Sequence, residues 1–132
     1  MGTLLFEEET YKVIGACMTV HREMGSGFLE SVYQEALENE LEEQGISFER
    51  QKKIAIYYKG KTLKKYFMAD FVCFDSIIVE LKSTAFMHQT GESQLINYLK
   101  ATNYKIGLLI NFGESSLQWK RFINNPCNPI NP

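Results

Sequence analysis

Two short apolar runs carry charge where a sheet core should hold hydrocarbon, and this limits the folds open to the chain more than any other feature. Val79-Glu80-Leu81-Lys82 ends the run that begins at Ile77-Ile78, and Asp70 interrupts Phe67-Met68-Ala69-Asp70-Phe71-Val72. Side chains alternate across a strand, so Glu80 and Lys82 share one face and Leu81 points to the other. Asp70 lies ten residues upstream, on the preceding predicted strand. An odd number of linking residues, or a bulge, brings Asp70 onto the face of Glu80 and the carboxylates converge.

Two such carboxylates repel each other and resist desolvation, so they need a shared proton or a cation. A hard divalent ion suits them. Mg²⁺ takes oxygen ligands, keeps several waters, and leaves positions for water and a phosphate oxygen. Beside it, Lys82 can orient an attacking water or offset charge developing on phosphate. The competing reading is a cross-strand ion pair worth about 0.2–1 kcal/mol. A lone Glu-x-Lys triplet does not separate the two, since it arises by chance in roughly one of every few chains this size.

The surrounding pattern predicts an α/β order. Helices are expected over 7–24, with Val13, Ile14, Cys17, Met18 and His21 in helical spacing, and over 28–44, with Leu29, Val32, Tyr33, Ala36, Leu37 and Leu41 on one stripe. Ile54, Ile56 and Tyr58 then alternate as a strand before a turn at Tyr58-Lys59-Gly60-Lys61. Strands over 63–74 and 77–82, linked around Asp75-Ser76, complete a three-stranded meander. A helix over 91–100 and strands over 105–112 and 117–123 follow. A helix between the meander and a later strand implies a mixed sheet, with that helix on one face and the first helices beside it. Residues 1–123 are read as one domain and 124–132, rich in Asn and Pro, as a loose tail.

The chain's 132 residues are 45% hydrophobic, enough to bury a core, and its apolar runs fall far short of the about 20 residues that cross a bilayer. The segment Met1–Phe6 has no basic stretch, so no secretory leader is expected. Cys17, Cys73 and Cys127 are widely spaced and odd in number, which favours free thiols and a cytoplasmic location. The net charge of -2 is unevenly spread: eleven of sixteen acidic residues precede residue 50, and seven of fourteen basic ones fall within 50–65. That basic segment is either a solvated hairpin or a ribbon contacting phosphates.

The segment Gly27-Phe28-Leu29-Glu30-Ser31-Val32-Tyr33 resembles the signature of the GxxExxY family, a PD-(D/E)XK nuclease-like group found mostly in prokaryotes. The resemblance continues through Tyr58-Lys59-Gly60-Lys61, Ala69-Asp70-Phe71, Val79-Glu80-Leu81-Lys82, Gln94-Leu95-Ile96-Asn97-Tyr98-Leu99 and Gly107-Leu108-Leu109-Ile110-Asn111-Phe112-Gly113, covering residues 11–123. It implies a restriction-endonuclease-like core, a mixed β-sheet flanked by helices, and a metal-dependent nuclease acting on nucleic acid, expected to be DNA. Asp70 and Glu80 would ligate Mg²⁺ or Mn²⁺ together with the Leu81 carbonyl. Glu30 would assist from its helix, and Lys82 would be the catalytic lysine. Gln94 and Tyr98 look like the Gln-x-x-x-Tyr element of RecB-type nucleases, and their spacing of four puts both on one helical face. Lys52, Lys53, Lys64 and Lys65 are expected to contact phosphates. A chain this short leaves little room for its own specificity element, so a homo-oligomer or a protein partner is expected to supply one. The alternatives are a non-catalytic nucleic-acid-binding or regulatory module, and an interaction domain whose ion cluster is structural.

Other motifs carry less. Gly60-Lys61-Thr62 looks like the end of a phosphate-binding loop, but Ala55 stands where the first glycine belongs. Cys17 and His21 form half a zinc pattern with no second half, which favours helix packing. His88 could approach a scissile phosphate or simply face solvent. Tyr33, three residues after Glu30, either buttresses that carboxylate or fills core volume.

Overall fold

The computed structural model describes residues 6–86 and 89–124. Two helices, α1 (Glu7–Met24) and α2 (Glu30–Glu43), precede a meander of β1 (Phe48–Tyr58), β2 (Lys61–Cys73) and β3 (Ile77–Lys82); α3 (Gln89–Thr102), β4 (Ile106–Asn111) and β5 (Gln118–Ile123) follow. The five strands form one sheet in chain order. β3 and β4 pair in parallel and the other neighbours antiparallel, so α3 is the crossover that a parallel pair requires. The sheet is mixed, as the element order predicts.

The helices divide between the two faces. Val13, Ala16, Cys17 and Val20 of α1 and Tyr33, Leu37 and Leu41 of α2 pack against Phe71, Val79, Leu81 and Ile110. Leu95 and Leu99 of α3 pack against Phe67, Val72, Ile78 and Leu109 on the opposite side. The expectation that the first helices lie beside α3 is therefore corrected. β3 and β4 are apolar on both faces, and each face must be covered. Met18, counted with the α1 stripe, is exposed, because the buried face centres on Val13, Cys17 and Val20. Leu29 is exposed too: α2 begins at Glu30, after Leu29 in an extended conformation.

Burial also disposes of the zinc pattern. Cys17 is wholly buried, and burial, with Cys73 close by, pushes its thiol well above the usual range; burial raises Cys73 to about 12. His21 Nε2 lies 2.9 Å from the Glu114 carbonyl oxygen, so both residues serve packing. Gly60-Lys61-Thr62 sits at the β1–β2 turn and opens no helix, which removes the phosphate-loop reading. His88 and residues 125–132 lie outside the described residues. Asn124 is tied down, its N–H donating to the Lys105 carbonyl at 2.8 Å. Among the described residues no helix is long and apolar enough to cross a membrane.

Candidate functional site

The β2–β3 ladder runs from Cys73–Ile77 to Phe71–Val79 and then opens. Three residues, Phe74, Asp75 and Ser76, link the strands, the odd number under which Asp70 and Glu80 come to face each other. Each carboxylate takes over a backbone donor in the opening. The Asp70 N–H donates to Glu80 Oε2 at 2.8 Å, and the Leu81 N–H donates to Asp70 Oδ2 at 2.8 Å. The side chains thereby close the ladder that their own strands leave open.

A slip in the pleat aims Asp70. Phe67 and Ala69 pack with α3, yet Phe71, which strict alternation would place on their side, packs with α1 and α2. β1 slips with it, since Phe48 and Ile54 fall on opposite faces despite their even spacing. Gln51 lies at this level with φ 52, a left-handed conformation that is rare for a non-glycine residue and recurs at functional sites.

Around this pair the structure gathers most of the expected residues. A narrow cleft of ≈ 20 Å³, room for about one water, is lined by Glu80, Lys82, Gln94, Tyr98, Phe67 and Leu109. Tyr98 stacks on Phe67 at 4.1 Å between ring centroids, which fixes its ring beside the cleft that both residues line. Lys82 makes no ion pair among the described residues, although its charge favours ionisation of both carboxylates. The cross-strand ion pair weighed from sequence is thus not formed.

Glu30 stands apart. It is exposed at the start of α2, in a groove of ≈ 550 Å³ that it lines with Phe28, Leu29, Ser83, Thr84 and Gly113. Its charge raises the pKa of both Asp70 and Glu80. Among the described residues, however, no group of three His, Cys, Asp or Glu side chains is close enough to hold a metal. Tyr33 does not buttress Glu30. Its hydroxyl donates to the Gly25 carbonyl and accepts from the Phe28 N–H, and its ring stacks on Phe112 at 4.5 Å. In the Gly-x-x-Glu-x-x-Tyr pattern, Gly27 adopts φ 108, which favours glycine, and Tyr33 pins the turn that presents Glu30.

Two polar residues were missed from sequence. Gln34 Nε2 donates to Asp70 Oδ1 at 3.2 Å; it follows Glu30 by four on α2, a spacing that marks a shared face. Asn111 is fully buried at the end of β4. Its Oδ1 accepts from Thr84 N and Gly113 N, and its Nδ2 donates to the Thr84 carbonyl and Glu114 Oε2. It thus clamps the segment after Lys82 to the one after β4. Gly113 permits that approach, since a Cβ there would lie 2.2 Å from the Thr84 oxygen. A lone amide in an apolar strand is the signal that could have found Asn111.

Burial dominates the electrostatics. It raises Asp70, partly opposed by the Leu81 N–H, and with the Asp70 charge it pushes Glu80 from the usual 4.5 to about 8. Between those values the native state holds a proton that the unfolded chain has released, so stability falls as pH rises. In chelator, denaturant titrations from pH 5 to 9 are expected to show this decline, flattened in Glu80→Gln. A slope unchanged in that variant would assign it to other groups.

The donor set fits a divalent cation. Both carboxylates resist ionisation without a counter-charge, and Glu80 Oε1 accepts no hydrogen bond among the described residues. Leu81 directs its N–H towards β2 while the Lys82 carbonyl accepts from Phe112 N on the other side. Successive strand residues alternate in direction, so the Leu81 carbonyl also faces the Asp70 side.

A mixed sheet covered on both faces, with two carboxylates and a lysine where its central antiparallel pair opens, defines the restriction-endonuclease-like class of nuclease folds. The superfamily description "PD-(D/E)XK nuclease superfamily" matches residues 7–122, and the chain belongs to that superfamily, whose nucleases typically use divalent metal ions. The crystal structure of SSO0001 aligns at TM-score 0.56 and 18% identity over 90% of this chain and 59% of that one. An alkaline exonuclease (LHK-Exo) from Laribacter hongkongensis aligns at TM-score 0.51 and 10% identity over 96% of this chain and 74% of that one. At these identities the likeness is one of fold. No match was found among curated proteins.

Proposed function

We propose that the protein is a metal-dependent phosphodiesterase that hydrolyses nucleic acid, with DNA as the expected substrate, and that it belongs to the GxxExxY group within its superfamily. The observation that carries this reading is the half-buried pair Asp70 and Glu80, joined through each other's strands and flanked by a lysine that forms no ion pair with either among the described residues.

Asp70, Glu80 and the Leu81 carbonyl would hold Mg²⁺ or Mn²⁺, with Glu30 adding negative charge from the rim. Bound there, the ion supplies Lewis-acid polarisation of a phosphate and a more acidic water. Lys82 presents its ammonium at the cleft, where it offsets charge growing on phosphate oxygens. Gln94 and Tyr98 border the same cleft and orient what enters it. Gln34 holds Asp70 in place. Specificity beyond this would come from a second copy or a protein partner.

The test is cleavage of single- and double-stranded DNA and RNA with Mg²⁺ or Mn²⁺, with Asp70→Ala as control. Metal-dependent cleavage by the native chain alone is expected; no cleavage of any substrate would favour the non-catalytic nucleic-acid-binding or regulatory module. In the same reading Lys53, Lys64 and Lys65 contact phosphates, while Lys52 shares its charge with Glu49 at 2.8 Å. Replacing these four lysines is expected to reduce the dependence of log K on log salt by about 0.7–0.9 for each phosphate that is no longer neutralised. An unchanged slope would leave the hairpin merely solvated.

A further inference from the structure

We propose that one face of the β1–β2 arm is a stacking platform for unpaired bases, so that the nucleic acid bound by this chain carries a single-stranded segment. The inference rests on the reading that nucleic acid is the substrate, and it adds the strandedness and the residues that sense it.

The arm stands clear of the helices at its tip. Residues 61–66 of β2 are exposed on both faces of the ribbon. Ile54 and Phe67, paired across the strands, pack towards α3, so their neighbours Lys53, Ala55, Tyr66 and Met68 turn to the other side. A register shift between Ala55 and Tyr57 pairs Tyr57 with Thr62, which shares the Tyr66 face of β2. That face therefore carries Tyr57, Lys64, Tyr66 and Lys53 in turn, rings alternating with cations. Tyr57 is 43% and Tyr66 49% exposed, and Lys53 Nζ lies 5.1 Å from the centroid of the Tyr66 ring. Ala55 opposes Tyr66 and Tyr57 lies two residues further along β1, the extra residues of β2 being taken up by the bulge, so the two rings are separated by roughly 7 Å along the ribbon.

Charge selects the occupant. From Arg50 to Ala69 the chain has no Asp or Glu. Arg50 pairs with Glu38 and Lys52 with Glu49, whereas Lys53, Lys59, Lys61, Lys64 and Lys65 form no ion pair among the described residues. A second copy docked arm to arm would set lysine against lysine. A duplex would satisfy the cations but keep its bases stacked inside, leaving the rings exposed. An unpaired strand offers phosphates to the lysines and base faces to the tyrosines, and stacking on aromatic side chains is tolerant of sequence.

The experiment is fluorescence anisotropy in Mg²⁺ with cleavage-resistant phosphorothioate oligonucleotides, one single-stranded and one duplex of the same sequence. The native chain is expected to prefer the single strand. The pair Tyr57→Ala and Tyr66→Ala is expected to weaken single-strand binding about tenfold or more, to change duplex binding less than about twofold, and to leave the salt slope intact. The pair Tyr57→Phe and Tyr66→Phe, which keeps both rings, is expected to bind as the native chain does. Thermal unfolding of each variant verifies the fold. Equal native affinity for both oligonucleotides, or equal losses on both in the alanine pair, would overturn the platform. Cleavage of ordinary substrates measured in parallel separates the two readings: cleavage retained with no single-strand preference sinks the platform alone, whereas neither binding nor cleavage sinks the proposed function with it.

Discussion

Replacing Lys82 by Ala is expected to lower turnover on the order of 10²-fold or more, by analogy with the loss of one preorganised electrostatic donor. Stability should change little. Lys82 forms no ion pair among the described residues, so its removal strands no buried counter-ion. It takes away a charge that favours ionisation of Asp70 and Glu80 but that also repels a bound divalent ion, so metal affinity should not fall. A buried structural pair would behave differently, losing about 3–5 kcal/mol of stability when one partner is deleted. Thermal unfolding, metal affinity and cleavage measured on one preparation distinguish these roles. Full cleavage by a well-folded Lys82→Ala protein would defeat the catalytic assignment.

Asp70→Asn is expected to abolish most of the stabilisation that Mg²⁺ or Mn²⁺ confers on the native chain. At an ion concentration about 100 times Kd that stabilisation is about 2.7 kcal/mol, visible as a rise in Tm. In chelator the same variant should be no less stable than the native chain at pH 8. The Asp70 charge is the second cause, after burial, of the raised Glu80 pKa, and the substitution removes that repulsion. The Asn oxygen can still accept from the Leu81 N–H, which limits structural damage. Gain without metal and loss with it mark a ligand rather than a strut. Calorimetry showing unchanged ion affinity would remove Asp70 from the site.

Much of this was legible in the sequence because the signals are local. Strand β3 starts and stops where its apolar run does, at Ile77 and Lys82, and α1 spans the whole of its predicted range. The parity condition for Asp70 and Glu80 was legible but its outcome was not: the predicted link, Asp75-Ser76, is even, whereas β2 ends at Cys73 and leaves the three residues that satisfy the condition. Gln94 and Tyr98 share a helical face because they are four apart, and they reach the cleft with Glu80 and Lys82. What the local pattern missed depends on distant parts of the chain. Gln34 acquires its role through a hydrogen bond spanning 36 residues, and Asn111 through bonds to Thr84 that span 27.

The amino-acid sequence by itself determined which residues are carboxylate, lysine and apolar, and the alternation that puts Glu80 and Lys82 on one face of a strand. It also determined that a seven-cation segment runs from Arg50 to Lys65 with no acid among its residues. Only the tertiary structure decided that α1 and α2 cover the face opposite α3, since helical periodicity says which side of a helix is buried but not what buries it. The fold likewise decided which cations remain available, by giving Glu38 to Arg50 and Glu49 to Lys52. It also decided the aim of Asp70, through a slip of the pleat at Gln51 that both strands make together, preserving their register. Strand alternation alone cannot reveal such a slip. The carboxylates then close the opened ladder with their own oxygens, which places them side by side, half-buried, and in need of a cation.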